Sequence, residues 1–384
     1  MLFLSGPRQV GKTTAAKLIG ELMNESYYFN WDNPSDRATI MEGPLAIAQQ
    51  TGANQITDSL SLCIFDELHK FQHWRDFLKG MFDTYESNLR FLVSGSASLR
   101  VFSRGSESLL GRYFPNTLHP VSVAECTGAD NSVVVDSQPK KIEQDEWESL
   151  WNFGGFPEPF LLSNNQFHQN WTTMRAEKLL REDLRDLTRI QELGQIEYLA
   201  QILRCQVGQL TSYSSLSRKV QVQVNTIKNW IATLIALYYC FEIKPWHTNV
   251  ARSLRKEPKY YLWDWSVIDD SGARAENFVA SALYKAVNWW TNTGQGQFDL
   301  HFVRDKQKNE VDFLVTRNNS PWFLVEVKMS KDAPLSKSLQ YFQNQTKAEH
   351  AFQVAIDMNF VERNCFEFRE PVITPAKTLL AQLV

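Results

Sequence analysis

Gly6-Pro7-Arg8-Gln9-Val10-Gly11-Lys12-Thr13, followed by Thr14, is the stretch whose reading decides the fold of the first third of the chain. Leu2-Phe3-Leu4 before it reads as a short buried strand. Thr14-Ala-Ala-Lys-Leu-Ile-Gly-Glu-Leu-Met23 after it has helical periodicity. A glycine-rich turn between a strand and a helix is the setting that a phosphate-binding loop requires. Gly6 and Gly11 permit backbone conformations that aim successive N–H groups at phosphate oxygens, and the helix N-terminus adds its dipole. Lys12 is expected to neutralise the β and γ oxygens, and the Thr13 hydroxyl to ligate Mg²⁺.

Two further apolar runs complete a nucleotide site. Ser61-Leu-Cys-Ile-Phe-Asp66-Glu67 ends in two carboxylates, as a Walker B element does. A buried parallel strand reads as a continuous apolar run and releases its polar residues at its C-terminal end, where ligands bind. Asp66 is expected to hold the magnesium through water, and Glu67 to polarise the attacking water. Leu89-Arg-Phe-Leu-Val-Ser-Gly-Ser96 ends in hydroxyls, so Ser94 or Ser96 is expected to sense the γ-phosphate. Leu109-Leu-Gly-Arg112-Tyr-Phe offers an arginine for transition-state charge, in cis or from a neighbouring subunit. The second case requires a homo-oligomer. ATP and Mg²⁺ are the cofactors this set implies.

The bulk numbers bound the rest. At 384 residues, two or three domains are expected. With 43% hydrophobic and 22% charged residues, the composition is that of a globular chain. No apolar run approaches the ~20 residues needed to cross a bilayer, and the opening Met-Leu-Phe-Leu-Ser-Gly lacks the basic region of a signal peptide. Cys63, Cys126, Cys205, Cys240 and Cys365 are scattered singly, which fits reduced, mostly buried thiols in a cytoplasmic protein. A net charge of −3 means that nucleic acid would have to be met by a local basic face. Lys244, Arg252, Arg255, Lys256 and Lys259 form one candidate; a solvated turn between strands is the other reading of that stretch.

Residues 130–141 are polar and turn-rich and read as the exit from the first domain. A loop, Gly154-Gly-Phe-Pro-Glu-Pro159, then precedes a charged helix over 171–187 with apolar Met174, Leu179, Leu180, Leu184 and Leu187. Arg181, Asp183 and Arg185 read as its solvated or salt-bridged face. From 196 to 241 the pattern is helix, turn, helix, turn, helix, with Asn225 as N-cap of the third helix. Strand-like Tyr238-Tyr-Cys-Phe-Glu-Ile243 and Tyr260-Tyr-Leu262 would form a wing. A winged helix-turn-helix of this kind would offer Asn225, Thr226, Lys228 and Asn229 to a DNA groove, or else would serve as packing.

The last third begins with an amphipathic helix, Ala275 to Val287, followed by three strands, a helix over 335–345 and a strand over 351–356. This αβββαβ order is that of the restriction-endonuclease-like fold. The turn Arg317-Asn-Asn-Ser-Pro321 centres a hairpin near Asn319, which places Asp312 opposite Glu326 on one face. Lys328, two residues beyond Glu326, shares that face. Two carboxylates that hold a metal and a lysine that steadies the nucleophile suit Mg²⁺-dependent phosphodiester cleavage. Glu276 and Gln340 match accessory positions of that superfamily. The set supports an active nuclease, an inactive DNA binder on the same fold, or a surface charge cluster.

These motifs together resemble the AAA-type ATPases joined to a C-terminal domain of unknown function, found in bacteria and archaea. The resemblance rests on the phosphate loop, Asp66-Glu67-Leu-His-Lys70, Ser94-Gly-Ser96, Leu110-Gly-Arg112 and Pro120-Val-Ser-Val-Ala-Glu125. It continues through Gly154-Gly-Phe-Pro-Glu158, Pro258-Lys-Tyr-Tyr-Leu262, Glu276-Asn-Phe-Val279, Glu310-Val-Asp-Phe313 and Glu326-Val-Lys328. Members usually carry a further stretch before the phosphate-loop strand, whereas this chain starts inside it. A truncated or misassigned start, or a differently built adenine pocket, is expected. The expected organisation is a P-loop ATPase domain (1–129), a linker and helical bridge (130–195), a winged helix-turn-helix (196–262) and a restriction-endonuclease-like domain (263–384). The expected function is a Mg-dependent ATPase whose nucleotide state controls a DNA-binding C-terminal half, with or without cleavage. The rival is an ATP-switched regulatory or interaction protein with an inactive nuclease-like domain.

Overall fold

A computed structural model describes residues 1–55, 60–95, 109, 111–128, 138–184, 193–246 and 257–384. Ser96, Leu110, Arg185, Leu187, Arg252, Arg255, Lys256 and most of the 130–141 linker lie outside the described residues. The chain divides into two compact units, Met1–His119 with Ala236–Tyr238, and Pro120–Ile235 with Tyr239–Val384.

In the first unit, five parallel strands are ordered β2-β3-β4-β1-β5: β1 (Leu2–Ser5), β2 (Ser26–Asn30), β3 (Ser61–Asp66), β4 (Leu89–Gly95) and β5 (Phe114–Thr117). Their near-continuous apolar character follows from burial on both faces. Leu4, Leu62, Ile64 and Leu92 pack with Ala16 of the helix Lys12–Glu21 on one side. Phe3, Cys63, Phe65, Phe91 and Val93 pack with Trp74, Phe77, Leu78 and Met81 of the helix Trp74–Tyr85 on the other. Alternate residues of each strand therefore serve opposite layers. Because all strands run the same way, Ser5, Asp66 and Ser94 come to the same edge of the sheet.

The second unit is built on a seven-stranded mixed sheet in the order β12-β11-β10-β9-β8-β6-β7. Its strands are β6 (Cys240–Pro245), β7 (Lys259–Leu262), β8 (Phe298–Arg304), β9 (Glu310–Arg317), β10 (Ser320–Lys328), β11 (His350–Ala355) and β12 (Val372–Pro375). Strands β8, β9 and β10 form an antiparallel meander. The parallel step from β10 to β11 is made through the helix Lys337–Thr346, because parallel neighbours need a crossover. The long helix Ser271–Asn292 starts on Asp270, whose side chain accepts from the Ala273 N–H.

Three helices, Leu193–Cys205, Tyr213–Val220 and Val224–Ala236, precede this sheet. The third begins at Val224, so Asn225 lies in its first turn and not at its cap. The strands expected as a wing pair with each other and continue the large sheet, through Lys244 opposite His301 and Pro245 opposite Phe302. The charged helix starts earlier than its apolar spacing suggests, as Asn165–Glu177, and widens into a π-helical turn at Lys178–Asp183. Leu179 and Leu184 are buried but Met174 is exposed. Arg181 pairs with Glu197 at 3.0 Å on the surface. Among the described residues, no helix is long and apolar enough to cross a membrane. All five cysteines are free; Cys63, Cys240 and Cys365 are buried, whereas Cys205 is exposed.

Candidate functional site

The phosphate loop leaves β1 at Ser5. Gly6 has φ +151°, and a Cβ there would come within 2.5 Å of the Leu118 carbonyl oxygen, so only glycine fits. Gly11, with φ +98°, turns the chain into the helix Lys12–Glu21. Lys12 is buried, and its Nζ donates to the carbonyls of Gly6 at 3.0 Å and Pro7 at 2.7 Å. The ammonium thus lies inside the curve of the loop, where a phosphate oxygen would replace the carbonyls as its partner.

Asp66 closes the site from β3. Thr13 Oγ1 donates to its Oδ2 at 2.7 Å, Tyr28 Oη donates to the same oxygen at 2.6 Å, and Ser94 Oγ donates to Oδ1. Ser94 reaches it because β4 lies between β1 and β3. Burial pushes the Asp66 carboxyl up, but the bonds from Ser94, Tyr28 and Thr13 and the charge of Lys12 outweigh it and hold the group below its ordinary range. Tyr28 is absent from the sequence-derived set, since nothing local shows that β2 pairs beside β3.

Glu67 follows with φ 55°, a left-handed conformation, and its N–H donates to the Ser94 carbonyl. Its carboxylate faces Lys70 at 3.4 Å and His69 at 3.8 Å, and Lys70 also holds Asp32 at 2.6 Å. Arg112 is elsewhere. It forms a two-pronged contact with Asp83 at 2.7 and 3.1 Å, and its carbonyl accepts from the Met1 ammonium. It therefore stands at the start of β1, whereas the loop leaves the far end, roughly 10 Å along the strand. The cis role for Arg112 is thereby corrected: parallel β1 and β5 put it at the wrong edge of the sheet.

A second cluster lies in the C-terminal unit. The paired register of β9 and β10 runs to Phe313 opposite Val325, one step short of Asp312 and Glu326. Asp312 Oδ2 accepts from the Val327 N–H at 2.8 Å, and Lys328 Nζ donates to Glu326 Oε1 at 2.8 Å. Glu276 adds its charge to both Asp312 and Lys328, so the four residues share one electrostatic site. Gln340, by contrast, is exposed on its helix. Burial first, then the carboxylates of Glu276 and Glu326, hold the Asp312 carboxyl well above its usual range. Burial opposes the Lys328 charge, yet Glu326, Asp312 and Glu276 raise its pKa. Glu326 is only 8% exposed, and its Oε2 is buried without a hydrogen-bond partner.

Lys259 is the residue that sequence reading misplaced. Counted there with a basic surface, it is 2% exposed and sits 2.7 Å from Glu310 and 3.3 Å from Glu276. A lysine opening the apolar run Lys-Tyr-Tyr-Leu was the available signal. Arg304 also pairs with Glu310, and Tyr261 Oη donates to Glu276 at 2.6 Å. With Glu276 and Glu310 turned to Lys259, Asp312 and Glu326 remain. Among the described residues, no group of three or more His, Cys, Asp or Glu side chains is arranged to hold a metal ion.

On the helix Val224–Ala236, Asn225, Lys228 and Asn229 are exposed, Thr226 is half-buried, and Ile227, Trp230, Ile231 and Leu234 face the interior. Lys228 Nζ lies 5.6 Å over the Tyr213 ring. Lys244 is exposed and paired with Glu242 at 3.2 Å.

Residues 1–127 match the family described as AAA domain. Residues 144–269 match a domain of unknown function (DUF8612), and residues 271–370 another (DUF4143). Uncharacterized proteins of Mycobacterium bovis and Mycobacterium tuberculosis are each 26% identical over 355 residues, covering 88% of this chain and 73% of theirs. Among solved structures, Drosophila ORC bound to DNA aligns at 12% identity and a TM-score of 0.26, over 67% of this chain and 85% of that one. A Bacillus subtilis DNA clamp loader delta protein aligns at 9% identity and a TM-score of 0.25, over 61% and 83%. Scores so low decide nothing about the fold. The family match and the loop geometry together show that the N-terminal region is an AAA-type P-loop ATPase region.

Proposed function

We propose that this protein is a Mg-dependent ATPase whose nucleotide state governs a DNA-binding C-terminal half. The observation that carries the ATPase reading is the bond from Thr13 of the phosphate loop to Asp66 of the Walker B strand. The hydroxyl and carboxylate are hard oxygen donors in contact, which suits magnesium. Bound there, Mg²⁺ would neutralise charge on the β and γ phosphates. Lys12 would exchange the Gly6 and Pro7 carbonyls for phosphate oxygens, and the loop N–H groups of residues 8–14 would orient them. Glu67 would leave Lys70, accept a proton from water and align it for attack. For DNA, the support is the exposed face of Asn225, Lys228 and Asn229, with Thr226 at its margin.

The unpartnered Glu326 Oε2 favours a second reading, in which the C-terminal half also cuts DNA. A buried carboxylate oxygen without a donor is costly unless a cation meets it. Asp312 and Glu326 would hold a magnesium that keeps most of its water, and Lys328 would steady negative charge. Purified protein incubated with ATP, and separately with plasmid and linear DNA in Mg²⁺ or Mn²⁺, tests both readings. Phosphate release lost in Lys12→Ala supports the first. Metal-dependent cutting lost in Asp312→Ala and Lys328→Ala but kept in Lys12→Ala supports the second. ATP-dependent DNA binding without cutting leaves a regulatory protein with a silent nuclease-like domain. Failure to bind any polynucleotide at low salt removes the DNA assignment.

A further inference from the structure

Asp66 is met by hydroxyl groups from three separate elements, and one of them has no place in the phosphate-loop chemistry described above. In the parallel register of β2 with β3, Tyr28 lies opposite Ile64. It therefore stands on the sheet face shared by Ile64 and Asp66, two residues further on. Its hydroxyl donates to Asp66 Oδ2 at 2.6 Å, beside the Thr13 bond to the same oxygen at 2.7 Å. The ring packs against the cluster of Leu4, Ala16, Leu62, Ile64 and Leu92, and Lys17 Nζ lies 5.0 Å over its centroid. A phenol held by packing is a fixed donor, whereas the Thr13 hydroxyl can rotate to another partner.

Thr13 has two competing tasks. Here it bonds Asp66, but in a phosphate loop its hydroxyl serves the metal. Once it turns, Asp66 Oδ2 keeps a single donor. We infer that Tyr28 is the positioning residue of the magnesium site, holding the Asp66 carboxylate in place when Thr13 is withdrawn, a role that presupposes Mg-ATP binding at this loop. Without Tyr28, Ser94 alone would anchor the carboxylate, through Oδ1, and Asp66 would hold the magnesium's water less well. Loss of a partner that orients a metal ligand typically lowers metal affinity about 10–100-fold.

The test is a fluorescent ATP analogue titrated into the full chain, with Mg²⁺ and with EDTA. Tyr28→Phe keeps the ring and its packing, so its melting temperature should stay near wild type. Its affinity in EDTA should match wild type within about twofold, while the tightening produced by Mg²⁺ falls about tenfold. The Mg²⁺ concentration for half-maximal turnover should rise by a similar factor. Asp66→Asn should lose the Mg²⁺ effect, and adding Tyr28→Phe to it should change nothing more. An unaltered Mg²⁺ dependence in Tyr28→Phe, or additive effects in the double variant, would overturn the role of Tyr28 alone. A wild-type chain with no Mg²⁺-dependent nucleotide binding would overturn the ATPase reading itself.

Discussion

Lys259 and Glu310, 2.7 Å apart, form an ion pair in which the lysine side chain is 3% exposed. Glu276 approaches the same ammonium at 3.3 Å, so one buried cation serves two carboxylates from different elements. Burial alone would lower the Lys259 pKa; Glu276, Asp312 and Glu310 raise it above the ordinary value. Removing the ammonium leaves the half-buried Glu276 without its cation, while Glu310 keeps Arg304 at 2.6 Å. Lys259→Met is expected to destabilise the C-terminal unit by about 3–5 kcal/mol, seen as a lower urea midpoint. Glu276→Gln in the same chain should recover part of that loss, and no recovery would count against the pairing.

Glu67 and Lys12 are expected to fail in different ways. Lys12→Ala removes a charge from the inside of the loop and should weaken nucleotide binding itself. Glu67→Gln should bind Mg-ATP with nearly wild-type affinity while turnover falls about 10²–10⁴-fold, the usual contribution of a positioned base. Steady-state phosphate release beside equilibrium nucleotide binding separates the two. Equal losses of binding in both variants would remove Glu67 from the chemical step.

Asp312 has a folded-state pKa well above the ordinary carboxylate value, through burial and then the charges of Glu276 and Glu326. The folded chain therefore holds a proton that the unfolded chain has released. Stability from this group is present below its ordinary pKa and declines as pH rises from about 4 towards the folded value. Asp312→Asn replaces a carboxyl that must hold its proton with a neutral amide, so it should raise stability above the ordinary carboxylate pKa and flatten the decline between pH 5 and 8. Thermal melts across that range check it; a lower melting temperature at pH 8 would contradict the assignment.

Arg112 is bound to Asp83 on the exposed edge remote from the phosphate loop. Arg112→Ala should leave the melting temperature and the turnover of isolated chains unchanged. If it completes a neighbour's site, turnover should rise with protein concentration in wild type and not in the variant. Concentration-independent turnover in both would end the trans role as well.

Sequence alone determined what depends on neighbours along the chain. The phosphate loop is legible because its strand, glycines, lysine and helix are consecutive. Asp66 is legible because a buried strand must shed its polar residues at an end. Glu326 and Lys328 are two apart on one strand, whereas the register towards Asp312 passes a shift between Pro321 and Phe323 that the local pattern does not show. Tertiary structure decided the contacts whose partners are far apart in sequence. Tyr28 reaches Asp66 only because β2 lies beside β3, and Lys259 becomes a buried counter-ion only because β7 and the helix carrying Glu276 meet. The cis reading of Arg112 failed for the same reason: sequence spacing does not say at which edge of a parallel sheet a loop emerges. The strands read as a wing join the large sheet through β8, which lies more than 50 residues onward from β6. Local pattern encodes element and face; strand order and charge pairing depend on which surfaces bury together.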